Sequence, residues 1–466
     1  MSRRGPVDAS GPAPTAGNEL RALFRLGWPM ITAQLMVMAT GFLDTAMAGN
    51  YGAVDLAGVS LGGAFMWPGF LLASGVTMAL TPIVAQLRGE DALPQAGERI
   101  RQGLWLLLPL TLIVIVAMWN VGWVLRMSAF DPRVIAITSD YLRAAAWGLP
   151  ALFLFALLRQ TCEGLGHTLP AMWIAAAVVP VNGLLNYAFI FGHFGAPEMG
   201  GVGAGWATAM VFWLELGLMI LVTRQPWFRA TTAFNRFTLP DIHEIARLLR
   251  IGLPIGIMLF AEAGFFNLIH FLVGLIGVTA LAANAVAGNL NWMTFVMPSA
   301  LGTAASIRVG YFVGAGDIAM ARFAALTAYR FSFVYALVVG ALLLLARHHL
   351  VALYTADPEV AALAASVVVF IAVYQLADDT QAVAAGTLRG YKDTHVPVMI
   401  GIIGYWVIAL PVGAVLANGW LGATALGIHG YWSGMTVGLT VVALALGIRL
   451  VRTSADTERI SAFARR

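Results

Sequence analysis

The stretch LFRLGWP at residues 23–29 returns as LLRIGLP at residues 248–254. The two copies are 225 residues apart, and Gly89 returns at the same offset as Gly314. Repeats of the solenoid kind have periods of roughly 20–50 residues, so this much longer period indicates a duplicated half instead. The chain is therefore predicted to consist of two similar halves, each of which begins with the same helix.

The composition places these halves in a membrane. Hydrophobic residues make up 60% of the 466 residues and charged residues 11%, whereas soluble domains carry about 25% charged residues. A water-soluble enzyme with a large core is excluded by this balance. The single cysteine, Cys162, rules out a disulfide within the chain.

Twelve apolar stretches are long enough to span a bilayer, which takes roughly 20 residues each. Their approximate limits are 22–48, 56–86, 102–125, 137–160, 170–193, 200–223, 247–276, 279–312, 322–346, 360–387, 396–418 and 422–450. The fold class predicted from them is an all-α integral membrane protein of twelve transmembrane helices in two six-helix lobes.

Five segments follow from this division. We expect a disordered N-terminal tail at residues 1–19, rich in Pro, Gly, Ala and Ser, and a first lobe at residues 20–223. An inter-lobe linker at 224–244 follows, then a second lobe at 245–452 and a C-terminal tail at 453–466.

The basic residues predict the orientation of the chain. With the twelve predicted spans, 23 of the 27 Lys and Arg residues fall on the side of the N-terminus, and four, Arg126, Arg133, Arg143 and Arg347, fall on the other side. The side richer in Lys and Arg is cytoplasmic. Both termini are therefore predicted to be cytoplasmic, and six spans in each half give a parallel repeat.

Three carboxylates lie inside predicted spans, where a charged group costs ~2.5–3.5 kcal/mol on insertion scales and usually faces a cavity or a partner. Asp44 lies late in the first span, Glu262 midway along the seventh, and Asp378 in the tenth. These acids could bind a proton, a cation or a cationic substrate. The alternative is a structural hydrogen bond, and Asp379, about 100° further round its helix, is interpreted as a polar neighbour.

Other polar residues of the spans could support these acids. Asn182 and Asn186 lie four residues apart and share a helix face, either as ligands or hydrogen-bond partners of Asp44 or as ordinary interhelical contacts. Tyr374 precedes Asp378 by one turn and could bond near it or simply pack. Arg308 is expected to extend to the cytoplasmic interface.

Pro29 and Pro254 occupy matching places in the first helix of each half. A proline leaves one carbonyl of its helix unpaired and permits a bend. Each proline is interpreted either as a hinge that changes the bend of the acid-bearing helix or as a fixed kink near the start of that helix.

The sequence lacks the motifs that would indicate a zinc protease or ATP hydrolysis. It contains no HExxH motif and no Walker loop. We therefore expect neither an enzyme nor an ATP-driven pump, no cofactor and no nucleic-acid partner.

Five motifs together resemble the multidrug and toxic compound extrusion (MATE) family, closest to its NorM-like branch. The resemblance runs from about residue 20 to residue 452. The motifs are FLDTAMAG at 42–49, VAQL at 84–87, FGAPEMGGVG at 194–203, AASIRVG at 304–310 and AAGTLRGYKD at 384–393.

The resemblance implies two six-helix lobes, a central V-shaped cavity and ion-driven export. It implies a cation site at Glu262 and Asp378 with Tyr374 close by. It also implies a first-helix carboxylate at Asp44, with a polar pair on the fifth helix at Asn182 and Asn186. Some branches carry an aspartate where this chain has Asn186, so the first-lobe site has one charge fewer here, which favours the second-lobe acids for ion binding.

The expected function is therefore secondary transport across the bacterial inner membrane, by a monomer that needs no ATPase subunit. Na⁺ or H⁺ would move inwards, with Na⁺ held at Glu262 and Asp378 and no other metal, while organic, often cationic, drug-like molecules move out. The alternative is a flippase of the same wider superfamily for a lipid-linked anionic substrate, whose cavity should be basic. A further alternative, from a different functional class, is an ion channel or a membrane-embedded enzyme.

Overall fold

The computed structural model describes residues 15–127, 131–422 and 424–464. Within them, the first half contains the helices α1 (Ala16–Tyr51), α2 (Ala53–Met78), α3 (Leu80–Gly89), α4 (Leu93–Leu125), α5 (Pro132–Ala146), α6 (Leu149–Gly164), α7 (Leu169–Phe191), α8 (Gly201–Val222) and the short α9 (Pro226–Arg229). The second half contains α10 (Ile242–Gly274), α11 (Val278–Gly314), α12 (Ile318–Ala352), α13 (Pro358–Gly390), α14 (His395–Ile402), α15 (Leu410–Asn418), α16 (Ile428–Ala455) and α17 (Thr457–Ala464).

The predicted all-α membrane fold is confirmed, and each predicted span overlaps a straight, bent or interrupted helix of the described chain. Among the described residues, ten helices are long and apolar enough to cross a membrane, and the count rises to eleven if the bent pair α5 and α6 is one span. The 37-residue α11 falls outside this group. It buries polar side chains such as Asn284 and Asn291 against the rest of the protein, which explains its lower hydropathy.

Two spans are irregular because of proline. α5 and α6 meet at an angle of 51°, where Pro150 occupies the first turn of α6 and cannot donate a hydrogen bond to the preceding turn. Between α14 and α15, residues Ile403–Ala409 form a π-helical turn. Pro411 follows this turn and leaves a carbonyl of the preceding turn unpaired, which favours such a local widening.

The chain divides into two compact units at positions that differ from the expected lobe boundaries. The N-unit comprises Trp28–Gly256, and the C-unit comprises Ile257 onwards together with the residues up to Gly27. The divisions fall inside α1 and α10, each within two residues of Pro29 or Pro254. Each proline therefore lies inside a continuous helix, next to the position at which the residues of that helix change from one unit to the other.

An ion pair fixes the beginning of α1 in the C-unit. Glu19 accepts hydrogen bonds from Arg308 Nε at 2.8 Å and from Nη2 at 2.5 Å, and both side chains are buried. The Arg308 guanidinium also lies 4.7 Å from the centre of the Phe312 ring. A carboxylate of the same unit therefore compensates the charge of Arg308, and its position at the cytoplasmic interface stays a prediction.

The expected disordered tail also ends earlier than residue 19. α1 begins at Ala16, because the buried pair holds its first turn in place, and residues 1–14 of that tail lie outside the described residues. At the other end, α17 occupies most of the expected C-terminal tail, with Ile460 and Phe463 buried.

The N-unit repeats this arrangement at the start of α10. Glu244 lies 225 residues after Glu19 and forms ion pairs with Arg99 of α4 and Arg247 of its own helix. The segment between α8 and α10 packs on α4, where Arg101 Nη1 donates to the carbonyls of Thr232 and Ala233, each at 2.9 Å. The expected inter-lobe linker is thus a fixed part of the N-unit.

Close backbone contact between α11 and α13 positions the polar centre of the C-unit. A Cβ added to Gly386 would lie 2.5 Å from the carbonyl oxygen of Gly302. Small residues let transmembrane helices approach this closely. The side chains that α11 and α13 carry towards each other are therefore held at short range.

Candidate functional site

In the N-unit, the structure brings together the three polar residues singled out in the first half. Asn186 Nδ2 donates to Asp44 Oδ1 at 2.6 Å, and Asn182 Nδ2 donates to the same oxygen at 3.0 Å. Asn186 Nδ2 also lies 3.2 Å from Asn182 Oδ1. Both amides are buried, so they hold the carboxylate of α1 from one side.

The positions of these residues follow from helix geometry. Asn182 and Asn186 lie one turn apart on α7, which places both on one face, and Pro180 lies inside the same helix just before them. Asp44 lies about four turns after Pro29 on α1. The arrangement offers one carboxylate with amide donors and is suited to a cation or a proton rather than to an anion.

In the C-unit, a chain of hydrogen bonds connects the two acids. Tyr405 Oη donates to Glu262 Oε1 at 2.9 Å. Gln381 Nε2 lies 3.3 Å from Tyr405 Oη and 3.4 Å from Asp378 Oδ1. Asp378 and Tyr405 are 2% and 0% exposed, and Glu262 is half-buried. Tyr405 and Gln381 thus tie the acids of α10 and α13 into one polar cluster.

Two further polar side chains lie near Asp378. Asn291 of α11 and Tyr374 of α13 both lie next to Asp378. Within the described residues, Asn291 Oδ1 and Tyr374 Oη are buried and have no hydrogen-bond partner. The Tyr374 ring is fixed edge-on against Trp432, with centroids 5.7 Å apart. Carboxylate, amide and hydroxyl oxygens of this kind are the ligands of hard cations.

Asp379 is more than a polar neighbour of this cluster. It is 0% exposed and accepts a hydrogen bond of 2.6 Å from Gln375 Nε2. Gln375 Oε1 in turn accepts from Thr294 Oγ1 at 3.1 Å. A second polar network therefore runs from α13 to α11 behind the Asp378 cluster.

The positive charge of Arg389 acts on the Glu262 carboxylate without an ion pair between the two side chains in the described chain. Arg389 lies on α13, three turns after Asp378. The sequence spacing shows no basic residue one turn from any of the three acids, and Arg389 acts from a different helix.

The family of the chain follows from the comparisons with known proteins. The MatE family model matches residues 29–188 and matches again at residues 254–415. The chain belongs to the MATE family. The two matches begin 225 residues apart, which is the offset of the internal repeat, so the duplicated halves are the two copies of this family's unit.

Solved MATE structures share the fold along nearly the whole chain. The eukaryotic MATE transporter AtDTX14 is 21% identical, with a TM-score of 0.84 over 96% of this chain and 99% of that one. The Vibrio cholerae MATE transporter VcmN in the bent form is 18% identical, with a TM-score of 0.82 over 94% and 98%. An outward-facing multidrug resistance MATE transporter of the MOP superfamily is 19% identical, with a TM-score of 0.82 over 96% and 97%.

This MATE chain is accordingly a multi-pass membrane transporter and not an enzyme. Sequence reasoning identified the acids, Tyr374 and the asparagine pair, and it missed other members of the two clusters. The missed residues are Asn291, Gln375, Gln381, Arg389 and Tyr405. Gln375 and Gln381 lie within one turn of the predicted acids, which is a signal that could have been used, whereas Tyr405 is placed by a π-turn.

Proposed function

We propose that this MATE transporter exports organic, often cationic, drug-like molecules in exchange for Na⁺ or H⁺. The observation that carries the proposal is the C-unit cluster, in which Glu262 and Asp378 share the bridging side chains Tyr405 and Gln381. We assign the transporter to a NorM-like branch with its ion site in the second half. The first half has the amide Asn186 at a position where some branches have an acid, so the second-half cluster carries more negative charge.

The chemistry of the cluster suits a monovalent cation. Two carboxylates in a poorly hydrated space repel each other, and one bound positive charge relieves that repulsion. A proton would reside on one carboxylate. A sodium ion would take Asp378 with the side-chain oxygens of Asn291 and Tyr374 as ligands.

Export then requires that ion and drug favour different states of the protein. A ligand shifts a conformational equilibrium only by its differential affinity for the two states. An organic cation is attracted by the same carboxylates as the coupling ion, so both compete for negative charge. Ion binding at Glu262 and Asp378 would favour the state from which the drug has been released.

We expect Asp44→Asn to keep the fold and to lower drug export by at least about tenfold, or ~1.4 kcal/mol in coupling. The amide oxygen can still accept from Asn182 and Asn186, but the negative charge is lost. The measurement is drug efflux from cells, with protein levels determined in parallel. Asp140→Asn is the matched control, because Asp140 is an exposed acid of the same unit that pairs with Arg143. Normal export by Asp44→Asn at every pH would make Asp44 purely structural.

For the cellular location, we propose the bacterial inner membrane with both termini in the cytoplasm, on the basis of the 23 to 4 division of Lys and Arg. Tags at either end should be inaccessible to reagents outside intact cells. Labelling of either tag from outside would contradict this topology.

The test of the function is transport in liposomes. A fluorescent organic cation is followed under a Na⁺ gradient alone and under a pH gradient alone, for the wild type and for Asp378→Asn. We expect one of the two gradients to drive the wild type and neither to drive the variant. A flippase, the alternative function, would transport the organic cation under neither gradient and would move a lipid-linked anion instead. The acidic clusters do not favour an anionic substrate.

A further inference from the structure

A pocket of about 370 Å³ lies in the C-unit, near the end of α12 and the beginnings of α13 and α16. Its polar lining residues are Arg347, His348, Ser366 and His429. Its apolar lining residues include Val369 and Phe370, which lie on the same face of α13 as Ser366. The pocket is separate from the acid clusters and contains no carboxylate among its lining residues.

The polar lining residues of the pocket present hydrogen-bond donors. Arg347 Nε donates to His348 Nε2 at 3.3 Å, so the neutral His348 ring carries its hydrogen on Nδ1. Within the described chain no carboxylate lies within 4.0 Å of Arg347, in contrast to Arg143 and Arg449, which both have an acid partner. The guanidinium of Arg347 is thus left with an uncompensated charge.

The His429 ring is held in one orientation. Ser366 Oγ lies 2.6 Å from the carbonyl oxygen of Leu363 and 2.7 Å from His429 Nε2. A hydroxyl has a single hydrogen, which the carbonyl takes, so His429 Nε2 is the donor to Ser366. Phe370 packs against the ring with centroids 5.3 Å apart. Apolar and polar lining residues of the pocket are therefore in direct contact at Phe370 and His429.

Arg347 is also unexpected from the topology. Under the predicted orientation it is the one Lys or Arg of the second half on the side opposite the termini. Basic residues that set orientation gather on the other side. A role in orientation therefore does not account for Arg347.

We propose that this pocket binds an anionic phospholipid, with the phosphate on Arg347 and His348 and an acyl chain along Val369 and Phe370. Charge-assisted hydrogen bonds from a guanidinium suit a phosphate. The absence of a carboxylate from the lining leaves the ammonium group of a zwitterionic lipid without a partner. Inorganic phosphate would leave the apolar lining residues uncovered, which favours the lipid as the source of the anion.

The test is thermal unfolding of the purified full chain in detergent, titrated with phosphatidylglycerol, phosphatidylcholine or inorganic phosphate. We expect phosphatidylglycerol to stabilise the wild type at lower concentration than phosphatidylcholine, and inorganic phosphate to have no effect. Arg347→Gln should raise the half-saturating concentration of phosphatidylglycerol about tenfold. Arg133→Gln, which changes an exposed arginine in the other unit, should leave it unchanged.

A second variant tests the sign of the charge. Ala362 is an exposed lining residue, so Ala362→Glu adds a carboxylate to the pocket with little risk to folding, and Ala362→Gln is its neutral control. We expect only the glutamate variant to weaken binding of phosphatidylglycerol. Equal losses in Arg347→Gln and Arg133→Gln, equal effects of the two lipids, or stabilisation by phosphate alone would each overturn the proposal.

Discussion

Glu262→Gln is expected to abolish ion-driven export and to remove the stabilisation that the coupling ion gives to the protein. An ion at 100 times its Kd stabilises a folded protein by about 2.7 kcal/mol. Glutamine keeps the shape of the side chain and can still accept the hydrogen bond from Tyr405, so the loss reports the charge. The measurement is a thermal-shift titration with Na⁺ against choline at several pH values.

The same titration tests whether Glu262 and Asp378 act as one site. Groups that share a ligand and a hydrogen-bond network have non-additive effects, so Asp378→Asn should add little to Glu262→Gln. Glu359→Gln, at an exposed position on α13, is the matched control and should behave as the wild type. If the two single effects simply add, the acids serve separate steps. Stabilisation of the wild type by low pH but never by Na⁺ would identify H⁺ as the coupling ion.

The second large effect is expected at the ion pair that holds the start of α1. Glu19→Gln leaves the buried Arg308 guanidinium without a compensating charge, and breaking a buried pair in this way costs about 3–5 kcal/mol of folding free energy. We therefore expect a marked fall in thermal stability, measured in detergent without any substrate. Glu458→Gln, which changes an exposed glutamate of the same unit, is the control.

A double variant separates the lost charge balance from lost packing. Glu19→Gln with Arg308→Met removes both charges, and neutral replacements of a buried ion pair are often tolerated. We expect the double variant to recover most of the stability that Glu19→Gln loses. If Glu19→Gln unfolds at the temperature of the Glu458→Gln control, the pair contributes nothing to holding α1.

Periodicity and composition were sufficient to predict the helices. A segment of about 20 apolar residues in a bilayer has few alternatives to a helix, because its backbone hydrogen bonds must be made within the protein. The 225-residue offset likewise anticipated the two matches to the MatE family model. The same offset relates Glu19 to Glu244, so the paired anchors of α1 and α10 were accessible to sequence reasoning. The arginine partners from other helices were not, since Arg308 lies 289 residues from Glu19 and Arg99 lies on α4.

The candidate site was predictable where residues lie on one helix and not where helices meet. Asn182 and Asn186 share a face by spacing alone, and their contact with Asp44 depends on how α1 and α7 pack. Tyr405 reaches Glu262 from a π-turn, and a pattern based on 3.6 residues per turn misplaces every side chain across such a turn.

The central claim is that ion and drug are exchanged, and the direct test is the reverse of drug export. Binding couplings are reciprocal, so a gradient of an organic cation across a liposome membrane should drive the coupling ion uphill in the opposite direction. We predict such ion movement, detected with a Na⁺ or pH indicator inside the liposomes, for the wild type and the Glu359→Gln control, and none for Glu262→Gln. Organic cation that crosses the membrane in the wild type without any opposing movement of Na⁺ or H⁺ would contradict the account.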